Sequence, residues 1–190
     1  MARRKIISDA SVLEAALQVM VAKGPSDFTL ADVAAATGIS PATLVQRFGD
    51  KHGLVVAAFA QDNAAFAQAL ADLPPGTGAA AVIAVFRLLS PGVEDVGLFA
   101  DQLLWLRQDM RDPDLNRLAR ERFRMLRETI AERLPPLAIA PEDAARLVEA
   151  QWQGALNQWG IEPEGALVDF VTRSLAAWFS LVGAAAHRLS

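Results

Sequence analysis

The sequence predicts an all-helical protein, and three observations carry that expectation. Leu and Ala dominate many segments, and both favour helix. β-Branched and aromatic residues are few, and Tyr is absent. Apolar positions recur at the spacing of one helix face rather than alternating along a strand. At 190 residues, of which 53% are apolar, the chain can hold one domain or two small ones, either with a substantial core.

Residues 9–23 place Val12, Leu13, Ala16, Leu17, Met20 and Val21 on one face, and Gly24-Pro25 ends that first helix. Thr29 caps a second helix with Asp32 at its third position, a variant of the capping box, while Leu30 and Val33 turn inward. That helix stops at Thr37-Gly38, where glycine permits the left-handed backbone of a tight turn. Ser40 caps a third helix whose first position is Pro41, where the missing N–H costs little. Leu44 and Phe48 pin it inward and Gly49 ends it. Asp50 caps a long fourth helix that runs to about residue 72.

The clearest linker is the Pro/Gly stretch 74–78. After it, residues 79–89 are apolar nearly all round, which predicts a central helix. Breaks at Pro91-Gly92, Asp112-Pro113, Leu134-Pro135-Pro136 and Glu162-Pro163 leave helices near 94–110, 114–134, 141–160 and 165–187.

Composition removes several function classes. Without cysteine there is no disulfide, thiolate catalysis or Cys-based metal site. His52 and His187 are the only histidines, and neither has sequence neighbours at metal-ligand spacing. No Walker A or G-x-S-x-G motif occurs. No catalytic residue, metal ligand or cofactor is therefore expected. Arg3, Arg4 and Lys5 precede an apolar stretch, but Asp9 and Glu14 interrupt it and its period is that of an amphipathic helix. The late uncharged run 174–186 is shorter than the ~18–20 residues that span a bilayer. A soluble, cytoplasmic chain without a membrane partner is the expectation.

The net charge of −4 is unevenly spread. Residues 1–60 hold six basic side chains (Arg3, Arg4, Lys5, Lys23, Arg47, Lys51) against five acidic ones (Asp9, Glu14, Asp27, Asp32, Asp50). The acidic excess thus lies in the body, and the N-terminal segment suits a polyanion better than the total suggests.

Helices two and three, joined by a short glycine turn after a longer first helix, have the layout of a helix-turn-helix at about residues 29–48, although a hairpin that merely packs has the same spacing. In the DNA-binding layout, Ala42 and Gln46 face directly away from the core, flanked by Thr43, Val45 and Arg47. Small Ala42 and Thr43 let the backbone approach a groove floor, Gln46 suits adenine, and Arg47 suits guanine or a phosphate. Thr29 and Ser40, with Pro41 behind Ser40, sit at helix N-termini that favour phosphate, and Lys51 opens the next helix on the same side. The arm of Arg3, Arg4 and Lys5 suits a minor groove or phosphates, or is a tail kept soluble by its charge.

These residues resemble the N-terminal domain of the tetracycline-repressor (TetR) family of bacterial regulators. The likeness covers residues about 6–60, on Lys23-Gly24, Phe28-Thr29-Leu30, Val33-Ala34, Thr37-Gly38-Ile39-Ser40, Thr43-Leu44, Phe48, Asp50-Lys51 and Leu54. The family often has Gly where this chain has Ala42, Tyr where it has Val45, and His or Tyr where it has Arg47. Val45 lacks the aromatic hydroxyl that commonly touches backbone or base, and it suits a thymine methyl instead. The resemblance implies a DNA-binding domain of three helices (residues 1–60), joined by the long fourth helix to a helical ligand-binding and dimerisation domain (61–190).

It also implies that the last two helices build a two-fold dimer interface, for which Leu147, Gln151, Gly154, Gln158, Val171, Leu175, Trp178 and Val182 are the candidates. The middle helices are then expected to enclose an effector. Candidate liners are Phe86, Phe99, Trp105, Met110, Phe123, Met125 and Trp152, with Gln102, Gln151 and Asn157 as polar anchors. Taken singly, each of these suits core packing as well. The stripe Arg117, Arg120, Arg124 and Arg127 is interleaved with Glu121, Glu128 and Glu132, as on a solvated helix face. The expectation is a homodimeric, sequence-specific DNA-binding regulator. It acts as a repressor released from a pseudo-palindromic operator by a small, largely apolar molecule. A helical ligand-binding or carrier protein without specific DNA binding is the alternative.

Overall fold

In a computed structural model, which describes residues 7–90 and 96–189, the described residues form nine helices and no strand. They are α1 (Asp9–Asp27), α2 (Leu30–Thr37), α3 (Pro41–Phe48), α4 (Lys51–Ala71), α5 (Ala79–Leu89), α6 (Val96–Arg111), α7 (Pro113–Arg133), α8 (Pro141–Ile161) and α9 (Leu167–Leu189). Each expected helix is present. α1 departs in detail: Gly24 breaks it at φ 73° as expected, but a helical turn resumes through Pro25 to Asp27. Val21, expected to face inward, is exposed.

The chain divides into two units that no single cut separates: residues Met1–Phe66 with Ala100–Glu121, and Ala67–Phe99 with Arg122–Ser190. In this division residues 100–121 group with the N-terminal residues. Helices α4, α6 and α7 each supply residues to both units.

The first unit is built on a buried cluster of Val12, Leu13, Ala16 and Met20 from α1, Phe28, Val33 and Ala34 around α2, Leu44 from α3, Leu54, Val55 and Ala58 from α4, and Leu115 from α7. Its short helices are held by their caps. Thr29 Oγ1 accepts from the Asp32 amide (3.2 Å), and Asp32 Oδ2 accepts from both the Thr29 amide and its hydroxyl (2.8 Å each). Lys23 reaches Asp32 from α1 at 2.6 Å. The Lys23 ammonium, then the Thr29 hydroxyl and amide, hold the Asp32 carboxyl down from 3.8 to about 2. Gly38 sits at φ 71° and returns its N–H to the Ala34 carbonyl (2.9 Å), which closes α2. Pro41 opens α3 behind Ser40, whose Oγ accepts from the Thr43 amide (3.1 Å).

Asp50 caps α4 by accepting from the Gly53 amide (2.7 Å). At Gly53 the first turn of α4 meets the end of α3: a Cβ there would overlap the Phe48 carbonyl, a backbone atom with no room to yield. The spacing pattern of the sequence gives no sign of this contact.

The second unit buries Val82, Val85 and Phe86 of α5, Leu126 and Ile130 of α7, Ala144, Val148, Ala155 and Trp159 of α8, and Leu167, Val171 and Leu175 of α9. α9 packs on both α5 and α8. Arg127 crosses to Glu149 at 3.0 Å, and Trp159 Nε1 donates to the Gly165 carbonyl at 3.0 Å. Arg117, Arg120 and Arg124 are exposed and behave as a solvated face, with Arg124 on Glu128 at 2.9 Å and Arg117 4.0 Å from Glu121.

The close approach at Gly53 reverses the usual sign of a helical glycine substitution. Gly to Ala inside a helix ordinarily stabilises by roughly 0.5–1 kcal/mol. Gly53→Ala should instead destabilise by about 1–3 kcal/mol through overpacking, measured by thermal or urea unfolding. A stabilised variant would mean that α3 and α4 do not approach as described.

Candidate nucleic-acid interface

α3 presents a small polar-and-apolar surface. Leu44 is fully buried, which turns Ala42, Val45 and Gln46 outward; Val45 is 45% exposed. Gln46 makes no hydrogen bond among the described residues, so its carboxamide is available to pair with a base edge. At the helix start the hydroxyls of Ser40 and Thr43 lie 2.9 Å apart. One donates to the other, which leaves a second O–H free. Pro41 has no N–H, and the Ala42 N–H has no partner inside the helix. Free donors at a helix N-terminus, with the dipole behind them, suit a phosphate.

Three expected contacts are engaged elsewhere. Arg47 does not extend from α3: its Nε and Nη2 bind Asp9 of α1, and Nη2 also donates to the Ile7 carbonyl at 3.1 Å. Lys51 lies over the Phe28 ring, Nζ 4.0 Å from its centroid, and donates to the Pro25 carbonyl at 3.3 Å. The Thr29 hydroxyl donates to Asp32, whose ionised carboxylate makes that helix start unfavourable for a phosphate. Arg3, Arg4 and Lys5 lie outside the described residues.

A feature that sequence spacing does not reveal joins α4 to the start of α7. His52 Nδ1 is 3.5 Å from Asp112 and Nε2 is 3.3 Å from Asp114, while the other Asp112 oxygen caps α7 through the Asp114 (2.9 Å) and Leu115 (3.1 Å) amides. The three side chains offer ligand atoms within 4.8 Å of one another. Asp112 is committed to its cap, however, and the two ring nitrogens face different carboxylates, the pattern of an ion-pair bridge.

Beside it lies Trp105, one of the expected effector-pocket liners. Its ring packs in the first unit against Phe28 and Phe59, and Nε1 donates to the Met20 carbonyl (3.4 Å). It lines a cleft of about 270 Å³ with Phe28, Lys51, His52, Val55 and Leu115. Met110, 70% exposed, and Gln102 both face solvent.

In the second unit, Phe86 is fully buried with its ring 5.2 Å from that of Trp152. Phe99 fills space left by the missing side chain of Gly160 and meets Trp159 edge-on. Phe123 and Met125 are half-buried, Asn157 is exposed, and Gln151 donates to Ser174 of α9 at 3.1 Å. Among the described residues, two buried polar atoms have no partner: Ser90 Oγ, one turn beyond Phe86, and Trp152 Nε1. Of the dimer candidates, Val171 and Leu175 are 1% and 0% exposed, so they belong to the chain's own core. Leu147, Gly154 and Gln158 are exposed, and Gln151, Trp178 and Val182 are half-buried. Leu181 and Ile161, both exposed, extend the apolar surface of α8 and α9.

Residues 12–58 match the model of the family described as bacterial regulatory proteins, tetR family. No curated protein matches the chain. Solved structures share its fold along almost their whole length. A transcriptional regulator from Rhodococcus sp. Rha1 superimposes with a TM-score of 0.77 at 17% identity, over 93% of this chain and 96% of that one. A transcriptional regulator from Saccharomonospora viridis, in complex with choline, gives 0.75 at 18%, over 90% and 95%. The multidrug binding protein EbrR, complexed with malachite green, gives 0.67 at 21%, over 92% and 99%. Residues 12–58 thus carry a domain of the tetR family of bacterial regulatory proteins, and the helical architecture around it is the fold of these solved regulators.

Proposed function

We propose that the protein is a homodimeric repressor that binds a pseudo-palindromic operator through α3 and leaves it when a small, largely apolar molecule enters the second unit. DNA-binding regulation follows from the family. The observation that carries the choice of surface is α3 itself: Gln46 and Val45 are exposed, and one O–H of the paired Ser40 and Thr43 hydroxyls stays free at a capped helix start.

Two-fold symmetry suits such a site, because paired recognition helices are then about 34–36 Å apart on successive major grooves. The exposed apolar residues of α8 and α9, Leu147, Ile161 and Leu181, are the surface best suited to the second copy. Gly154, where an added methyl group would meet only open space, lets another helix approach closely between them.

For the effector, the orphaned Ser90 hydroxyl and Trp152 indole N–H beside Phe86 support a site in the second unit. A buried donor without a partner is costly, and an indole N–H only donates. The ligand therefore has an apolar or aromatic body with an acceptor for Trp152. Neighbours complexed with choline and with malachite green support a small organic molecule as its class. Helices α4, α6 and α7 run into both units, which gives ligand binding a covalent path to α4 and, at Gly53, to α3. The ligand releases DNA only by as much as it prefers the released arrangement.

Three outcomes are expected. Titration against duplex from the chain's own promoter should give a complex that is specific over random duplex and weakens steeply with salt, by a log–log slope of about −0.9 per phosphate contacted; equal affinity for both duplexes at every salt concentration would refute operator reading. Gly154→Arg should convert a dimer to a monomer in analytical ultracentrifugation, and an unchanged dimer mass would move the interface elsewhere. Ser90→Ala should leave the ligand-free melting temperature unchanged or raised, since it removes an unsatisfied hydroxyl; a loss of about 1–3 kcal/mol would mean that the hydroxyl already has a partner.

A further inference from the structure

We propose that Arg47 is a positioning residue: it clamps the last turn of α3 to the first turn of α1, so that Thr43, Val45 and Gln46 read the DNA and the arginine does not. The inference rests on α3 being the helix that reads DNA.

The geometry is one of a committed side chain. The Arg47 fork faces α1 with two of its nitrogens: Nε and Nη2 meet Asp9, and Nη2 also donates to the Ile7 carbonyl at 3.1 Å. The arginine side chain is only 22% exposed, with its guanidinium carbon 5.7 Å from the centre of the Phe48 ring. α1 is gripped a second time from α4, where Gln61 donates to the Ala10 carbonyl at 3.0 Å. The first turn of α1 is thus tied to both the recognition helix and the helix after it.

Two physical reasons keep Arg47 there when DNA is present. Swinging it to a base would break charge-assisted hydrogen bonds, the stronger class. It would also leave Asp9, whose side chain is 67% exposed, as a bare negative charge beside the phosphates. In the clamp Arg47 neutralises that charge. Gln46 needs no such release, because it is exposed and carries no hydrogen bond among the described residues. A lysine has the charge without the planar fork and cannot hold both Asp9 and Ile7 in this geometry.

The test uses the full chain and a duplex that the wild-type protein selects from a randomised pool. Discrimination is the ratio of affinities for the selected and a random duplex, measured for Asp9→Ala, Arg47→Ala, Arg47→Lys and the double alanine variant, with circular dichroism confirming the fold of each. Each single variant should lose discrimination by roughly ten-fold, the size of a coupling between contacting side chains. The double variant should lose no more than either single one, and Arg47→Lys should not restore what Arg47→Ala loses. Asp9→Ala, which removes a negative charge, should bind random duplex as tightly as wild type or more so.

If Asp9→Ala instead keeps or raises discrimination while Arg47→Ala relaxes preference at one base pair, Arg47 is a reader that Asp9 holds back, and the clamp is overturned. Rescue by Arg47→Lys would overturn it too, in favour of a simple phosphate contact. A wild-type chain that selects no sequence would overturn the DNA-reading role of α3 itself, a separate failure visible before any variant is made.

Discussion

An isolated helix shorter than about 12–15 residues is marginal in water, and α3 has 8 residues. Its conformation must be imposed from outside, and the surrounding structure shows how. Leu44 is driven into the core from its middle. Ser40 satisfies its first turn and Gly49 ends it. Asp50 and Gly53 bring the next helix against its last carbonyl, and Arg47 ties its final turn to α1. Holding this one short helix rigidly is the constraint from which most of the first unit follows. A reading surface must be preorganised if the few groups it exposes are to distinguish one base pair from another.

The anchoring differs in kind from one end of α3 to the other. At its start the work is local, done by a serine and a proline adjacent in sequence, and it leaves donors free for a phosphate. At its end the work is long-range, done by residues of α1 and α4, and it engages Nε and Nη2 of Arg47. The two ends thus divide the tasks. In the proposed reading the N-terminal turn and the outward side chains are left for DNA, and the C-terminal turn sets the pose.

That division also explains what can be read in the sequence. Caps, the left-handed glycine after Thr37 and the inward anchors are local patterns, and they identify α2, the turn and α3 with the correct ends. Side-chain destinations are decided by partners far along the chain. Arg47 and Lys51 have the charge that DNA asks for, yet Asp9, Phe28 and Pro25 take them first. Trp105, aromatic and in a middle helix, has the character of a pocket liner, but residues 100–121 pack with the N-terminal unit. In α8 and α9 helical periodicity shows which residues are apolar but not which of two apolar faces is internal. Val171 and Leu175 enter the core while Leu147 and Leu181 stay outside. The unpaired Ser90 and Trp152 atoms are visible only once the packing around them is known.

The central claim is that α3 meets DNA through Thr43, Val45 and Gln46 while its last turn stays fastened to α1. A crystal structure of the chain on its selected operator duplex tests this most directly. It should find those three side chains against base edges in the major groove, with Arg47 still bound to Asp9 and Ile7. Arg47 extended to a base or phosphate, or α3 lying away from the groove, would contradict it.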